Sequence, residues 1–341
     1  MKNMDYKKVV VLLTVGIIVL LAMIMFVGPG QIFEALKTAN IYYVILAIII
    51  QFVIIWLWNI RWSIICDSLD IPHNKLSLFA MTIVGLAIND LTPSGRSGGE
   101  PVRAYLLSKS SSADFKKTFA TVMADKLCDT FPFIVLAIFA ISYLMIYMHL
   151  STALFSLLMI SLVIFIVALV FIVFVCINES FGIKTIQWVF RQLRKLTSRD
   201  LDKYEETATT SLVGFQSSLL YLMDDYKLLV IATVISFLVW FLELTRVYVV
   251  FLAFGVQVSL GMIAAVFLVS TLIGIIPILP GGLGSIDGGM ILLYSLAGIT
   301  TSISTAATLI ERMISLWMVI IIGLILLPFF GAGVLDYIDS G

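Results

Sequence analysis

Charge is scarce in this sequence. Asp, Glu, Lys and Arg make up 12% of its 341 residues, against 61% apolar, and the mean hydropathy is +1.12. So little charge cannot cover a water-facing surface, which excludes a soluble globular protein and leaves an integral membrane protein. Lys plus Arg and Asp plus Glu each number 21, so no excess of one sign points to nucleic acid. Histidine is nearly missing. His73 and His149 fall at the ends of apolar segments, so the membrane interior has no imidazole for acid–base work. Cys66, Cys128 and Cys176 are scattered in or beside apolar runs with no CxxC or metal spacing; they read as packing residues, and neither metal nor cofactor is expected.

Long apolar runs are what the chain has in abundance. The hydrocarbon core is about 30 Å thick and a helix rises about 1.5 Å per residue, so roughly 20 apolar residues make a span. Six segments qualify: 9–27, 41–66, 117–147, 152–177, 228–254 and 302–329. The first follows a lysine-bearing start, but it is long and ends in no small-residue cleavage site, so it reads as a spanning helix rather than a signal peptide. Two further apolar segments, 76–91 and 260–279, run into glycine- and proline-rich stretches and are followed by short returns, 101–108 and 286–297.

Those stretches are alike. Pro93-Ser94-Gly95-Arg96-Ser97-Gly98-Gly99-Glu100 and Pro280-Gly281-Gly282-Leu283-Gly284-Ser285-Ile286-Asp287 share Pro-x-Gly with a carboxylate at the same distance after the proline. Such residues are tolerated in hydrocarbon only where they are buried in protein or line a wet cavity, and a matched pair of interrupted segments is a sign of a two-repeat transporter. Lysines flank the first hairpin on both sides (Lys75; Lys109, Lys116, Lys117), which puts both flanks in the cytoplasm and makes the segment re-entrant. From a cytoplasmic N-terminus the basic stretch from Lys184 to Lys203 falls inside and the arginine-free flanks of the second hairpin outside.

The expected architecture is therefore an all-α integral membrane protein with six spanning helices and two re-entrant helical hairpins in a 4+4 inverted-topology repeat. The first repeat is 1–150 (hairpin 76–108) and the second 151–341 (hairpin 260–297, amphipathic cytoplasmic segment 179–226), with both termini cytoplasmic in the cell membrane. Landmarks keep pace in the two halves. Arg61 precedes Pro93 by nearly the same interval as Arg246 precedes Pro280, and Glu100 precedes Asp125-Lys126 much as Asp287 precedes Glu311-Arg312. Two amphipathic stretches, around Ile32, Phe33 and Leu36 and around Ile183, Ile186, Val189, Phe190 and Leu193, are expected to lie on the membrane surface.

The first return helix is expected to begin near Pro101, its free N–H groups and Gly98, Gly99, Arg96 and Arg103 offering a phosphate site that Glu100 caps when empty. The second turn offers Gly281, Gly282, Gly284 and Asp287, with Arg246 and Arg312 as the nearby cations. Asn89, Asp90, Asp125, Lys126, Asp129, Glu243 and Glu311 stand in or near the ends of apolar helices; each charge there costs about 2.5–3.5 kcal/mol, so they should face inward and find partners. Glu243 and Arg246 share a helix face either as a locking salt bridge or as part of a site, and Asp125 with Asp129 is conceivable as a cation or proton site. Arg61, close to the cytoplasmic end of its helix, is expected to snorkel to the surface.

Pro93-x-x-Arg96-x-x-Gly99-Glu100-x-x-Arg103, then Pro280-Gly281-Gly282-Leu283-Gly284 with an acid three positions on, then Glu311-Arg312, resemble the transmembrane flippase-type part of lysylphosphatidylglycerol synthases and its stand-alone bacterial and archaeal relatives. The resemblance covers nearly the whole chain. It implies an eight-element bundle that moves a lipid between leaflets. Asp287 stands where the family more often shows glutamate, and the soluble aminoacyl-transfer domain of the full-length synthases is not in this sequence, so synthesis of a lysyl-lipid is not implied.

Three functions remain in view: a lipid transporter for a phosphate-bearing headgroup, a membrane-embedded lipid-modifying transferase or phosphatase, and an accessory subunit of a lipid or glycan pathway. The interior has no assembled metal-ligand set and no recognisable nucleophile with a base, which favours the transporter, not an enzyme. The expected partners are a membrane lipid and the bilayer, with a homo-oligomer or a partner enzyme left open.

Overall fold

The computed structural model describes Met25 and residues 29–92, 98–147, 152–196, 202–274 and 280–330, and among these there is no β-strand. Apart from Met25, the apolar segment 9–27 lies outside the described residues, as do residues 93–97 that include Arg96, His149, and 197–201, 275–279 and 331–341.

A short helix, α1 (Pro29–Lys37), precedes the long α2 (Ile41–Ser68). The first hairpin is α3 (Lys75–Leu91) and α4 (Gly99–Ser111), followed by α5 (Phe115–Tyr147), α6 (Thr152–Ile177), and two polar helices, α7 (Glu179–Leu196) and α8 (Asp202–Asp224). Then come α9 (Tyr226–Ala253), the second hairpin of α10 (Leu260–Gly274) and α11 (Ser285–Leu296) with a 3-10 turn Pro280–Gly282 between them, and α12 (Thr301–Arg312). A π-helical turn, Met313–Trp317, joins α12 to α13 (Met318–Leu326). Asparagine and aspartate set the starts, because a side-chain oxygen can take an N–H that the first turn leaves free. Asn40 accepts from Tyr42, Asn74 from Leu76 and Ser77, and Asp225 from Leu228.

Five helices among the described residues are long and apolar enough to cross a membrane: Ile41–Ser68, Phe115–Tyr147, Leu158–Ile177, Tyr226–Ala253 and Thr301–Phe330. They coincide with five of the six expected segments. The hairpin helices have 17, 13, 15 and 12 residues. Each falls short of the roughly 20 that span.

The order of elements recurs at a nearly fixed offset along the chain. Ile41, Lys75, Gly99 and Phe115 open α2, α3, α4 and α5; Tyr226, Leu260, Ser285 and Thr301 open α9, α10, α11 and α12 at the same intervals, give or take a single position. Packing follows the same exchange: α2 lies on α9, while α3 packs on α13 as α10 packs on α5. The largest buried apolar cluster joins the two series, with Phe133, Ile141 and Leu144 of α5 against Ile263, Val266 and Leu268 of α10.

Candidate functional site

The charges that the apolar helices carry converge. One cavity of about 180 Å³ is lined by Asn89, Asp90, Glu100, Arg103, Asp125, Lys126, Asp129, Glu243, Arg246, Glu311 and Arg312, together with Arg61, Gln51, Trp58, Trp240, Thr82 and Ser315. All the supporting polar residues singled out in the sequence line it. Leaving a charge unpaired in a membrane interior is expensive, which is why these side chains meet opposite charges or amides.

Arg61 is the hub of one end. Its Nε donates to Asp125 Oδ1 at 2.6 Å and its Nη1 to Asp129 Oδ1 at 2.7 Å and to Ser236 Oγ at 2.6 Å. It is 2% exposed, so it does not snorkel as expected. A side chain near a helix end turns inward when carboxylates on a neighbouring helix wait for it, and a single helix read alone cannot show that neighbour. Asp125 also receives Arg103, through Nη1 at 3.1 Å and Nη2 at 3.0 Å, and Arg103 lies over the Trp62 ring at 4.0 Å. Asp125 and Asp129 therefore both pair with guanidinium groups. Among the described residues no group of three or more His, Cys, Asp or Glu is gathered for a metal.

The other end repeats the plan. Arg246 donates to Gln51 Oε1, and its Nη2 lies 2.8 Å from Glu311 Oε1 and 2.6 Å from Glu243 Oε2. Arg246 stands in α9 where Arg61 stands in α2, and the pairs Arg61–Asp125 and Arg246–Glu311 are separated by 64 and 65 residues. Arg61 reaches across to Ser236 on α9, and Arg246 reaches back to Gln51 on α2. Gln51 and Ser236 also hold equivalent places in the two helices, each buried in the middle of an apolar run. Sequence reasoning missed both; a polar residue inside each long apolar run, at the offset that relates the two arginines, was the signal that could have found them.

At the described ends of the two glycine stretches, the partners differ in part from expectation. Helix α4 begins at Gly99, with Pro101 inside its first turn, and the Gly99 N–H donates to Asn89 Oδ1 at 2.6 Å. Asn89, not Glu100, therefore answers that terminus. Glu100 turns to Lys126, whose Nζ lies 2.9 Å from Oε1, and receives Asn89 Nδ2 on the same oxygen at 3.3 Å. A Cβ on Gly99 would collide with the Gly85 carbonyl, so the hairpin closes only with glycine at this crossing. In the second turn Asp287 Oδ2 accepts the Gly284 N–H at 2.6 Å, and Asp287 Oδ1 pairs with Arg312 Nε at 2.8 Å. Arg312 also donates to the Gly281 carbonyl at 2.5 Å. Arg312 therefore serves the second turn as expected, whereas Arg246 belongs to Glu311 and Glu243. Gly281, at φ 58°, comes against the end of the first hairpin: a Cβ there would lie 3.2 Å from the Asp90 carbonyl oxygen. Of the residues expected to bind substrate, Glu100, Arg103, Arg246 and Arg312 line the cavity; Gly98, Gly99, Gly281, Gly282, Gly284 and Asp287 are not part of its lining.

Outside the cavity, Ser63 Oγ and His73 Nε2 are 2.7 Å apart and His73 Nδ1 lies 2.9 Å from the Ile71 carbonyl. Both side chains are turned into the α2–α3 corner, where they tie the loop to the helix end.

Comparison with known proteins covers nearly the whole chain. The family model described as lysylphosphatidylglycerol synthase TM region matches residues 9–323. A UPF0104 membrane protein of Methanothermobacter thermautotrophicus is 43% identical over 324 residues, covering 95% of this chain and 96% of its own. Another of Methanocaldococcus jannaschii is 30% identical over 334 residues, covering 95% and 96%, and one of Pyrococcus horikoshii is 25% identical over 320 residues, covering 92% and 95%.

Proposed function

We propose a function from one premise: the chain belongs to the family of the lysylphosphatidylglycerol synthase transmembrane region, a family of multi-pass membrane proteins. It is a transporter that moves an amphipathic lipid with a phosphate-bearing headgroup between the leaflets of the cell membrane, without altering the lipid chemically. The observation that carries this reading is the crosswise arginine pair, Arg61 to Ser236 and Arg246 to Gln51, around one polar cavity to which both series of helices contribute. Matched parts that meet at a shared polar site are what a rocking exchange between two outlooks needs.

The recurring offset between the two series of helices supports two repeats, 1–150 and 151–341, related by a pseudo-two-fold axis in the membrane plane. The short hairpin helices support re-entrant hairpins, and lysine placement supports cytoplasmic termini. At about 180 Å³ the cavity is smaller than the roughly 300–1,000 Å³ of drug-sized pockets, so it suits a headgroup while the tails stay in the bilayer. The phosphate docks at the α4 N-terminus with Arg96 or Arg103. Arg103 is held by Asp125 and the Gly99 N–H by Asn89, so binding exchanges these internal partners for the phosphate.

The test is leaflet-specific quenching of acyl-labelled lipids in proteoliposomes. The wild-type protein raises translocation above empty vesicles, and Arg96→Lys, which keeps charge but loses the planar fork, lowers it about tenfold, the worth of one charge-assisted bond. Lys195→Ala has little effect. A chemically changed lipid with no translocation overturns the reading in favour of a transferase or phosphatase, and activity that appears only with a second protein marks an accessory subunit.

A further inference from the structure

Among the described residues the cavity wall carries six carboxylates, Asp90, Glu100, Asp125, Asp129, Glu243 and Glu311, and five bases. Four of those bases are guanidinium groups whose side chains are 10% exposed or less, each held by one or two carboxylates. The fifth is different. The Lys126 side chain is 40% exposed, and its ammonium meets a Glu100 side chain that is 6% exposed. This pair joins a flexible, half-open cation to a fixed, buried anion.

Glu100 is also incompletely served. Its Oε1 takes both Lys126 and Asn89, whereas its Oε2 is buried with no hydrogen-bond partner among the described residues. A buried carboxylate oxygen left without a donor costs about 1–3 kcal/mol or more, so in a native structure it calls for an explanation, and a ligand that donates to it is one.

We infer that the Glu100–Lys126 pair reads the headgroup, and that it takes a zwitterion carrying an ammonium beside its phosphate. This rests on the transporter reading above and names its substrate class. Lys126 swings from Glu100 to the phosphate, and the ligand ammonium takes its place on the Glu100 carboxylate, with N–H donors enough for both oxygens. One ion pair becomes two, no proton moves, and no charge is left alone in the low-dielectric interior. A headgroup with a phosphate and no cation draws Lys126 away without replacing it, which leaves Glu100 charged, buried and unpaired. That penalty is the basis of selection.

Native mass spectrometry of the detergent-purified full chain, offered phosphatidylethanolamine and phosphatidylglycerol in equal amounts, tests this without requiring transport. Retention of phosphatidylethanolamine is expected to exceed that of phosphatidylglycerol by about tenfold, corresponding to about 1.4 kcal/mol, and Glu100→Gln is expected to abolish the preference. Tail-free phosphoethanolamine should bind at least about tenfold more weakly than the lipid, because it buries no apolar surface. Equal retention of the two lipids by the wild-type protein overturns the inference whether or not the variant folds. A preference that survives in folded Glu100→Gln overturns the role of this pair, and phosphoethanolamine bound as tightly as the lipid overturns the lipid source. In proteoliposomes the same lipids separate the two claims: translocation of both at one rate refutes the headgroup rule alone, and translocation of neither, with selective binding intact, refutes transport alone.

Discussion

Asp125 holds two arginines, Arg61 and Arg103, that come from helices on either side of it. Removing its charge while leaving both guanidinium groups buried is expected to destabilise the fold by about 3–5 kcal/mol, whereas a change at a surface carboxylate costs within about 0.5 kcal/mol. Thermal denaturation of the detergent-solubilised protein should therefore show a large fall for Asp125→Asn and almost none for Asp67→Asn, whose side chain is 69% exposed. Similar midpoints for the two variants contradict the hub assignment. The charged residues at this scale were legible because carboxylates and arginines in apolar helices stand out; which partner each takes was not. Arg61 looked like a surface anchor since its bond to Ser236 joins residues 175 apart, and Asn89 drew notice as a polar residue but not as the acceptor for Gly99.

Apolar runs were the most legible elements. The runs are as long as the membrane requires, and Asn40, Asn74 and Asp225 cap the helices that follow them. Breaks inside helices were harder to see. Pro132 lies within α5, and the π turn Met313–Trp317 follows Arg312 at once, but no residue of that turn signals a change of pitch, because a π turn is fixed by packing against other helices. The crossing of α3 and α4 depends on two glycines far apart in sequence. Gly99→Ala must push against the Gly85 carbonyl and is expected to cost about 1–3 kcal/mol, while Gly30→Ala in α1, with nothing within 4 Å of the added carbon, should gain up to about 1 kcal/mol from helix propensity. Stability curves in detergent check the pair. A neutral Gly99→Ala means that the hairpin is looser than described.

For the whole molecule, the recurrence of elements was readable from landmarks such as Arg61 and Arg246, since a repeat preserves spacing even where its residues differ. What spacing cannot give is the path between the sides of the membrane. The proposed inverted topology predicts that Ser110→Cys reacts with an impermeant maleimide from the cytoplasmic side and Gln257→Cys from the opposite side. Labelling of both from one side removes the inversion.

Alternating access requires the one cavity to open in turn to each face, and Ser315 on its wall is half-buried and uncharged, which makes it the best reporter. With Cys66, Cys128 and Cys176 replaced by serine, Ser315→Cys should be modified by impermeant maleimide in both right-side-out and inside-out vesicles, and bound lipid should slow both reactions. Modification from a single side under every lipid condition contradicts alternating access and with it the proposed transport.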